Sequence, residues 1–437
     1  MIELISIFLL LLFFLLLSLF PLSLRLNKEK LYLSNNNFDV LSINLLFHTI
    51  IIFLISFTNI NFKNYLYLAI IFSILFNFHY FVKFRNYFNS FKNINFIFFV
   101  IINFIIFLFL ARNPILAWDG LENWYFKAQN FFYDYNFFDL KDVKGLSYYP
   151  HFGSVLWGFF WKNSMLQYEY LGRMIYVFIF LLSIFSVCEL INKNSLIKIV
   201  TISLLILICF DDFLFRGYQE ILIFSFFIFI SKHFYYFITE EKNNNLLVCF
   251  IYLNLLPWIK HEGYLLTIIF TFSLIFMINN FSKRFEIIIF ILSTWILISF
   301  KNFIFQKYID LNLTHGAELK FLIEFEVIKD FVIAFSLGFL IALFKYKIWL
   351  IAIVSFFFIS KMKKISNRQK IFFKFIKINL FLYLILVLGI YYNLSYSSID
   401  ISWWIDNSLD RLLYSISGLF IIQIVLVLDY FKNYNLK

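Results

Sequence analysis

Asp119, Glu122 and Lys127 fall within nine positions of one another in AWDGLENWYFKAQNFF, residues 117–132, with Trp118 and Trp124 interleaved. Two carboxylates and an amine this close can move protons. A carboxylate within hydrogen-bond reach of a hydroxyl acts as a general base. On an α-helix the i, i+3 spacing of Asp119 and Glu122 sets both on one face. The stretch follows directly on an apolar run, so Trp118, Trp124 and Tyr125 also suit an aromatic belt at a membrane surface. A belt with ordinary solvated charges is the competing reading.

Three further stretches place ionisable groups beside apolar runs. FRGYQEILIF carries Arg216 and Glu220, WIKHEGYLL carries Lys260, His261 and Glu262, and DISWWIDNSLDRLLYSISG carries Asp410 and Arg411. Ionisable residues at membrane depth are functional candidates by default, although a helix end among lipid headgroups gives the same pattern. LSYYPHFGSVLWGFFW, which contains Tyr149, reads as an amphipathic aromatic segment lying on the membrane surface.

The elements that must position these residues are membrane helices. The chain has 437 residues, 62% hydrophobic and 24% aromatic, with 14% charged and a mean hydropathy of +0.84. A soluble domain is about 45–50% apolar and about 25% charged. The net charge of +11 sits mostly in short inter-helix loops, as the positive-inside bias requires, and is no sign of nucleic-acid binding. Cys188, Cys209 and Cys249 lie in or beside apolar runs without metal-ligand spacing. The histidines form no HExxH or HxxxH pair, and no glycine-rich phosphate loop exists. The N-terminal apolar run has no basic n-region and no small-residue cleavage site, so it reads as a retained span with its N-terminus outside.

Spans are expected near 2–22, 41–60, 65–82, 95–112, 169–190, 196–213, 218–238, 245–258, 263–279, 286–304, 345–360, 371–391 and 411–430. The fold class is therefore an all-α polytopic membrane protein with about thirteen spans. Arg25, Lys28, Lys30, Lys83, Arg85, Lys92, Lys193, Lys198, Lys283, Arg284 and the run KMKKISNRQK mark the cytoplasmic side, where the C-terminus also returns. Loop 113–168 then faces outward, as do DDFLFRGYQE, WIKHEG, 306–330 and 392–410. Over 321–360 one span preceded by an interfacial helix, around 321–344, fits the charge rule better than two spans.

The order of these motifs resembles the GT-C-fold glycosyltransferases that use lipid-linked sugars, in particular the bacterial protein O-mannosyltransferase and aminoarabinose-transferase superfamily. WDGLENWYFKA is similar to that family's Trp-Asp followed by W-x-x-K-A, and YYPHF to its Y-P segment. GYQE, KHEG and SLDRLL are similar to its GYAD-like, KNEG-like and SxDRLL elements. The resemblance covers residues 95–430. It implies a GT-C-like bundle with amphipathic helices in the first outward loop. It divides the chain into accessory helices over 1–94 and a catalytic domain over 95–437.

The resemblance also implies a reaction. A sugar passes from a polyprenyl-phosphate donor to a glycolipid, glycan or protein acceptor on the outer face of the cytoplasmic membrane, with the protein embedded in the lipid bilayer. Asp119 is the implied base, with Glu220 where the family has Asp and Glu122 without a family counterpart. Lys127, Arg216, Lys260 and Arg411 are candidate cations for the leaving phosphate, Arg411 foremost because guanidinium suits bidentate contact. Trp124, Tyr149, His261 and Glu262 complete the substrate-binding set, His261 standing where the family has Asn. No cofactor is demanded. A divalent Mg or Mn ion, if used, would sit on Asp119 and Glu220. A surface-polysaccharide polymerase or ligase is the nearest alternative, and a lipid or sugar transporter a further one. Few Gly or Pro breaks and no repeat speak against the transporter.

Overall fold

The computed structural model describes residues 1–20, 37–83, 93–143, 149–191, 195–309, 325–361, 365–396 and 400–434. Arg25, Lys28, Lys30, Arg85, Lys92 and Lys193, expected to mark one side of the membrane, lie outside these residues, as does Tyr148 of the Y-P segment. Among the described residues every regular element is a helix. A helix overlaps each expected span. Among the described residues ten helices are long and apolar enough to cross a membrane, so the expected thirteen is not reached on that measure. Ser195–Cys209 and Ile348–Ile359 are apolar but shorter. The chain forms two compact units, Met1–Ser225 and Phe226–Lys437.

The first unit contains α1 (Ile2–Leu19), α2 (Asn37–Ile55), α3 (Phe62–Lys83), α4 (Ile94–Ala111), α5 (Phe126–Phe132), α6 (Phe152–Asn163), α7 (Glu169–Cys188) and α8 (Ser195–Cys209). Helix α7 is largely apolar and buried from Leu171 to Cys188, as such a helix must be at the centre of a bundle. Phe14 of α1 is fully buried, with ring centroids 6.0 Å from Phe107 of α4, 4.8 Å from Phe160 of α6 and 5.3 Å from Phe178 of α7. The N-terminal helices and the segment 113–168 thus share one core. At one end of the unit the 56–61 turn receives that segment. Phe137 N–H donates to the Ser56 carbonyl at 2.7 Å, and the Asn61 amide to Asp134 at 2.9 Å. Glu3 and the Tyr170 hydroxyl meet at the same end. At the other end Glu189 accepts from Phe38 N–H at 2.9 Å, and Ser186 donates to Asp39 at 2.8 Å.

Helix α9 (Glu220–Glu240) begins in the first unit and continues into the second. The second unit adds α10 (Asn243–Ile259), α11 (His261–Met277), α12 (Arg284–Tyr308), α13 (Phe325–Lys345), α14 (Ile348–Lys361), α15 (Asn367–Leu394) and α16 (Asp410–Tyr434). Three of its loops meet at one end. Arg368 pairs with Glu241 at 2.6 Å, Ser282 donates to Glu241 at 2.9 Å, and Lys283 donates to Asn243 at 2.5 Å. Two of these loops, those of Lys283 and Arg368, are ones that the charge bias assigns to a single side. Tyr391, near the end of α15, lies within electrostatic reach of Glu262, Asp410 and Arg411, which groups WIKHEG with SLDRLL at the opposite end.

Residues 325–361 form two helices. By length and apolarity α13 could cross a membrane, whereas α14 is shorter. Yet the partners of α13 all lie at one end of the unit. Phe331 and Phe335 pack on Tyr392 and Tyr391, Gly338 abuts Ile405, and Lys345 pairs with Asp410. A helix of 21 residues is about 31 Å long, so α13 runs across that end and not down the unit. Helix α14 instead runs alongside α16, with Trp349 Nε1 donating to the Leu413 carbonyl at 3.1 Å and Gln423 to Ser355 at 2.5 Å.

Candidate functional site

The opening motif is held by backbone before any side chain acts. After α4 the chain runs to Ala117, whose N–H donates to the carbonyl of Arg216 at 3.0 Å. Gly120 then crosses Gly217. A Cβ on Gly120 would stand 2.3 Å from the Arg216 oxygen, and one on Gly217 would stand 2.9 Å from the Gly120 Cα. Gly217 also has φ +99°, a region that L side chains rarely enter. Both positions therefore require glycine. The contact joins WDG to RGYQE and sets Asp119 and Glu220 in one neighbourhood of the first unit.

From Gly120 to Tyr125 the chain forms a π-helical turn, a local widening often found at functional sites. This alters the expected pairing of the two carboxylates. On an α-helix, residues i and i+3 point about 60° apart. In a π-turn, with more than four residues per turn, they diverge by roughly 90° or more. Asp119 is accordingly half-buried while Glu122 is exposed. The two do not share a face as the spacing predicts.

Arg173 pins this crossing from below. It pairs with Glu169 at 2.7 Å and donates to the carbonyls of Phe215 at 3.0 Å and Pro114 at 2.6 Å. Its three partners are thus α7 itself and the two segments that meet at Ala117 and Arg216. The Arg216 side chain pairs with Asp212 at 2.6 Å and remains partly exposed. Glu220 is buried at the first residue of α9, where the helix dipole favours a carboxylate. Beside it the Gln219 amide donates to the Tyr176 hydroxyl at 3.0 Å.

No family model, no curated protein and no solved structure matches this chain.

Lys127 is fully buried in α5. Its Nζ donates to the Tyr149 carbonyl at 2.7 Å and lies 5.3 Å from the Trp124 ring centre and 5.7 Å from that of Tyr149. Burial holds its ammonium well below the usual lysine range. Trp124 is itself buried and meets Tyr149 edge-on at 5.6 Å. Lys127, Trp124 and Tyr149 thus form one closed cluster. It anchors the 126–150 segment and leaves the amine no exposed face.

The remaining candidates belong to the second unit. Lys260 is extended between α10 and α11 and pairs with Glu262 at 2.7 Å, with His261 half-buried between them. Arg411 turns both Nε and Nη2 onto the Asn407 carbonyl, at 3.1 and 2.7 Å. Its neighbour Asp410 pairs with Lys345. Among the described residues no group of three or more His, Cys, Asp or Glu is placed to hold a metal ion.

The glycine crossing, the Arg173 pin and Gln219 are absent from the candidates named by sequence. Arg173 left a signal, since Glu169 and Arg173 stand at i, i+4 at the head of an apolar run.

Proposed function

We propose that this chain is an integral membrane glycosyltransferase that moves a sugar from a polyprenyl-phosphate donor to an acceptor on the outer face of the cytoplasmic membrane. The observation that carries the reading is the backbone crossing of Gly120 and Gly217, which brings the Asp119 and Glu220 motifs together. A shared site for two motifs far apart in sequence calls for such a lock.

In this reading Asp119 takes the proton of the acceptor hydroxyl. The hydroxyl oxygen bonds to the anomeric carbon as the bond to phosphate breaks, and its electron pair leaves with the phosphate. A half-buried carboxylate suits the base, because it combines access with partial exclusion of water. Glu220, buried at a helix start, orients the acceptor. Arg216, partly exposed in the same unit, is the cation offered to the leaving phosphate, whose charge grows in the transition state. Lys127, closed in its aromatic cluster, serves to hold the loop. Asp119 and Glu220 are the carboxylates that would hold a Mg or Mn ion, where it would steady the charge of the phosphate.

The orientation belongs to the same proposal: N-terminus and loop 113–168 outside, C-terminus cytoplasmic. The grouping of loops at opposite ends within each unit supports it. A reporter fused after Leu140 is expected to read as external, and a cytoplasmic signal there would contradict the proposal. Mass spectrometry of surface glycolipids, from cells with and without the gene, is expected to show loss of one sugar addition.

A further inference from the structure

Helix α13 is the least buried of the ten helices of membrane length. Val332, Ile333, Leu337, Leu340, Ile341 and Phe344 are each 51–66% exposed. Their spacing of mostly three and four sets them on one side of the helix. The opposite side meets protein. Phe331, Phe335 and Ala342 are buried there, and Gly338 and Lys345 make the contacts with Ile405 and Asp410.

Both ends of α13 lie at one end of the unit. Phe331 packs on Tyr392, whose neighbour Tyr391 bonds to the Ser408 hydroxyl at 2.7 Å, two residues before Asp410. Lys345 pairs with Asp410 itself. Helix α14 then sets out from that end parallel to α16, since Trp349 meets Leu413 and Ser355 meets Gln423. Between Asp330 and Lys345 the chain has fourteen uncharged residues, about 21 Å of helix. The hydrocarbon core of a bilayer is about 30 Å thick.

A large bare apolar surface marks a membrane or a partner, and what adjoins this one identifies its cover. Leu388 and Ile385 of α15, one and two turns before Tyr392, are exposed apolar residues on a helix of membrane length. The bare face of α13 therefore borders a flank that lipid covers. Lys329 and Lys345, exposed toward its two ends, suit a helix lying where acyl chains meet headgroups. Beneath α13 is a second π-helical turn, Ile405–Leu409, which leads into Asp410 and Arg411. A Cβ on Gly338 would stand 2.1 Å from Ile405 Cγ2, so the helix is seated directly on that turn.

We propose that α13 is a strap lying flat along the membrane surface. Its bare face binds the acyl chains of the adjacent leaflet, and its seated face holds down the π-turn that carries Asp410 and Arg411. The bilayer thereby helps to fix the SLDRLL motif in place. The strap stands on the second unit alone and holds whether or not the chain transfers a sugar.

The test uses cysteine variants of the full chain, whose own Cys188, Cys209 and Cys249 are buried. Lys329→Cys and Lys347→Cys, at exposed positions toward the two ends of α13, are probed with a membrane-impermeant maleimide in intact and in permeabilised cells. Both are expected to react from the same side of the membrane. Reaction of both only after permeabilisation would keep the strap and overturn the orientation proposed above. Reaction from opposite sides would make α13 a span and overturn the strap. Leu337→Cys, carrying a nitroxide, is then read in vesicles of dioleoyl phosphatidylcholine. Greater access to oxygen than to a water-soluble nickel chelate is expected, as for a side chain among acyl chains. Greater access to the chelate, or spin–spin broadening by a second copy, would overturn the proposal. A nitroxide on Asn407→Cys reports on the π-turn. Gly338→Leu, which crowds Ile405, is expected to sharpen that spectrum, and an unchanged spectrum would show that α13 does not hold the turn. Should Gly338→Leu fail to fold, Lys345→Met, which breaks the pair with Asp410, takes its place with the same expected change.

Discussion

Gly217 and Gly120 touch backbone to backbone, and each would collide with the other's chain if it carried a side chain. One follows the candidate base Asp119 directly, and the other lies three residues before Glu220. The distance between the two acidic motifs is therefore set by main chain. Main chain cannot relax as a flexible side chain can.

Gly217→Ala combines a Cβ clash with a positive φ. The cost of such strain is about 1–3 kcal/mol. The expected outcome is a lowered unfolding midpoint and loss of transfer. Gly389→Ala is a fitting control, since nothing stands within 4 Å of a Cβ at that position. Equal behaviour of the two variants would mean that the crossing is loose.

Arg173→Met removes one partner of a largely buried ion pair and frees two backbone carbonyls. Breaking a buried pair in this way costs about 3–5 kcal/mol. Glu169→Gln keeps the shape and two of the acceptors, so it is expected to cost less. Thermal unfolding of both variants checks the order.

The sequence shows the helices plainly because each is a run of apolar residues long enough to be read by hydropathy. The ends of α10 and α11 are legible for the same reason, with Lys260 and His261 interrupting the run. The π-turn at Gly120–Tyr125 is not legible. Its residues would suit an α-helix equally, and the Arg216–Gly217 turn packed against its start is distant in sequence. Burial of Lys127 is hidden for a related reason. A lysine beside Trp124 and Tyr125 reads as one that reaches toward water, and only the Tyr149 carbonyl shows where it is held. The role of α13 is ambiguous in sequence because its apolar length suits a span, whereas its contacts run across one end.

Lys127 makes stability depend on pH. Its folded pKa is depressed, so between that value and the ordinary lysine value of about 10.4 the unfolded chain binds more protons than the folded one. Stability therefore rises with pH through that window, as the cost of burying the charge disappears. Unfolding midpoints measured from neutral pH to about 10 are expected to climb in wild type. Lys127→Met is expected to flatten the climb, because methionine has no proton to lose. An unchanged slope would assign it to other groups.

The central claim is that Asp119 is the general base of sugar transfer, and one comparison tests it most directly. The rate of transfer from a polyprenyl-phosphate sugar is measured with purified wild type, Asp119→Asn and Glu122→Gln, with unfolding midpoints recorded in parallel. Asparagine is nearly isosteric and takes no proton, so Asp119→Asn is expected to fold normally and to lose about 10²–10⁴ in turnover. Glu122→Gln, at an exposed position turned away by the π-turn, is expected to lose little. Wild-type turnover in Asp119→Asn, or equal losses in both variants, would contradict the account.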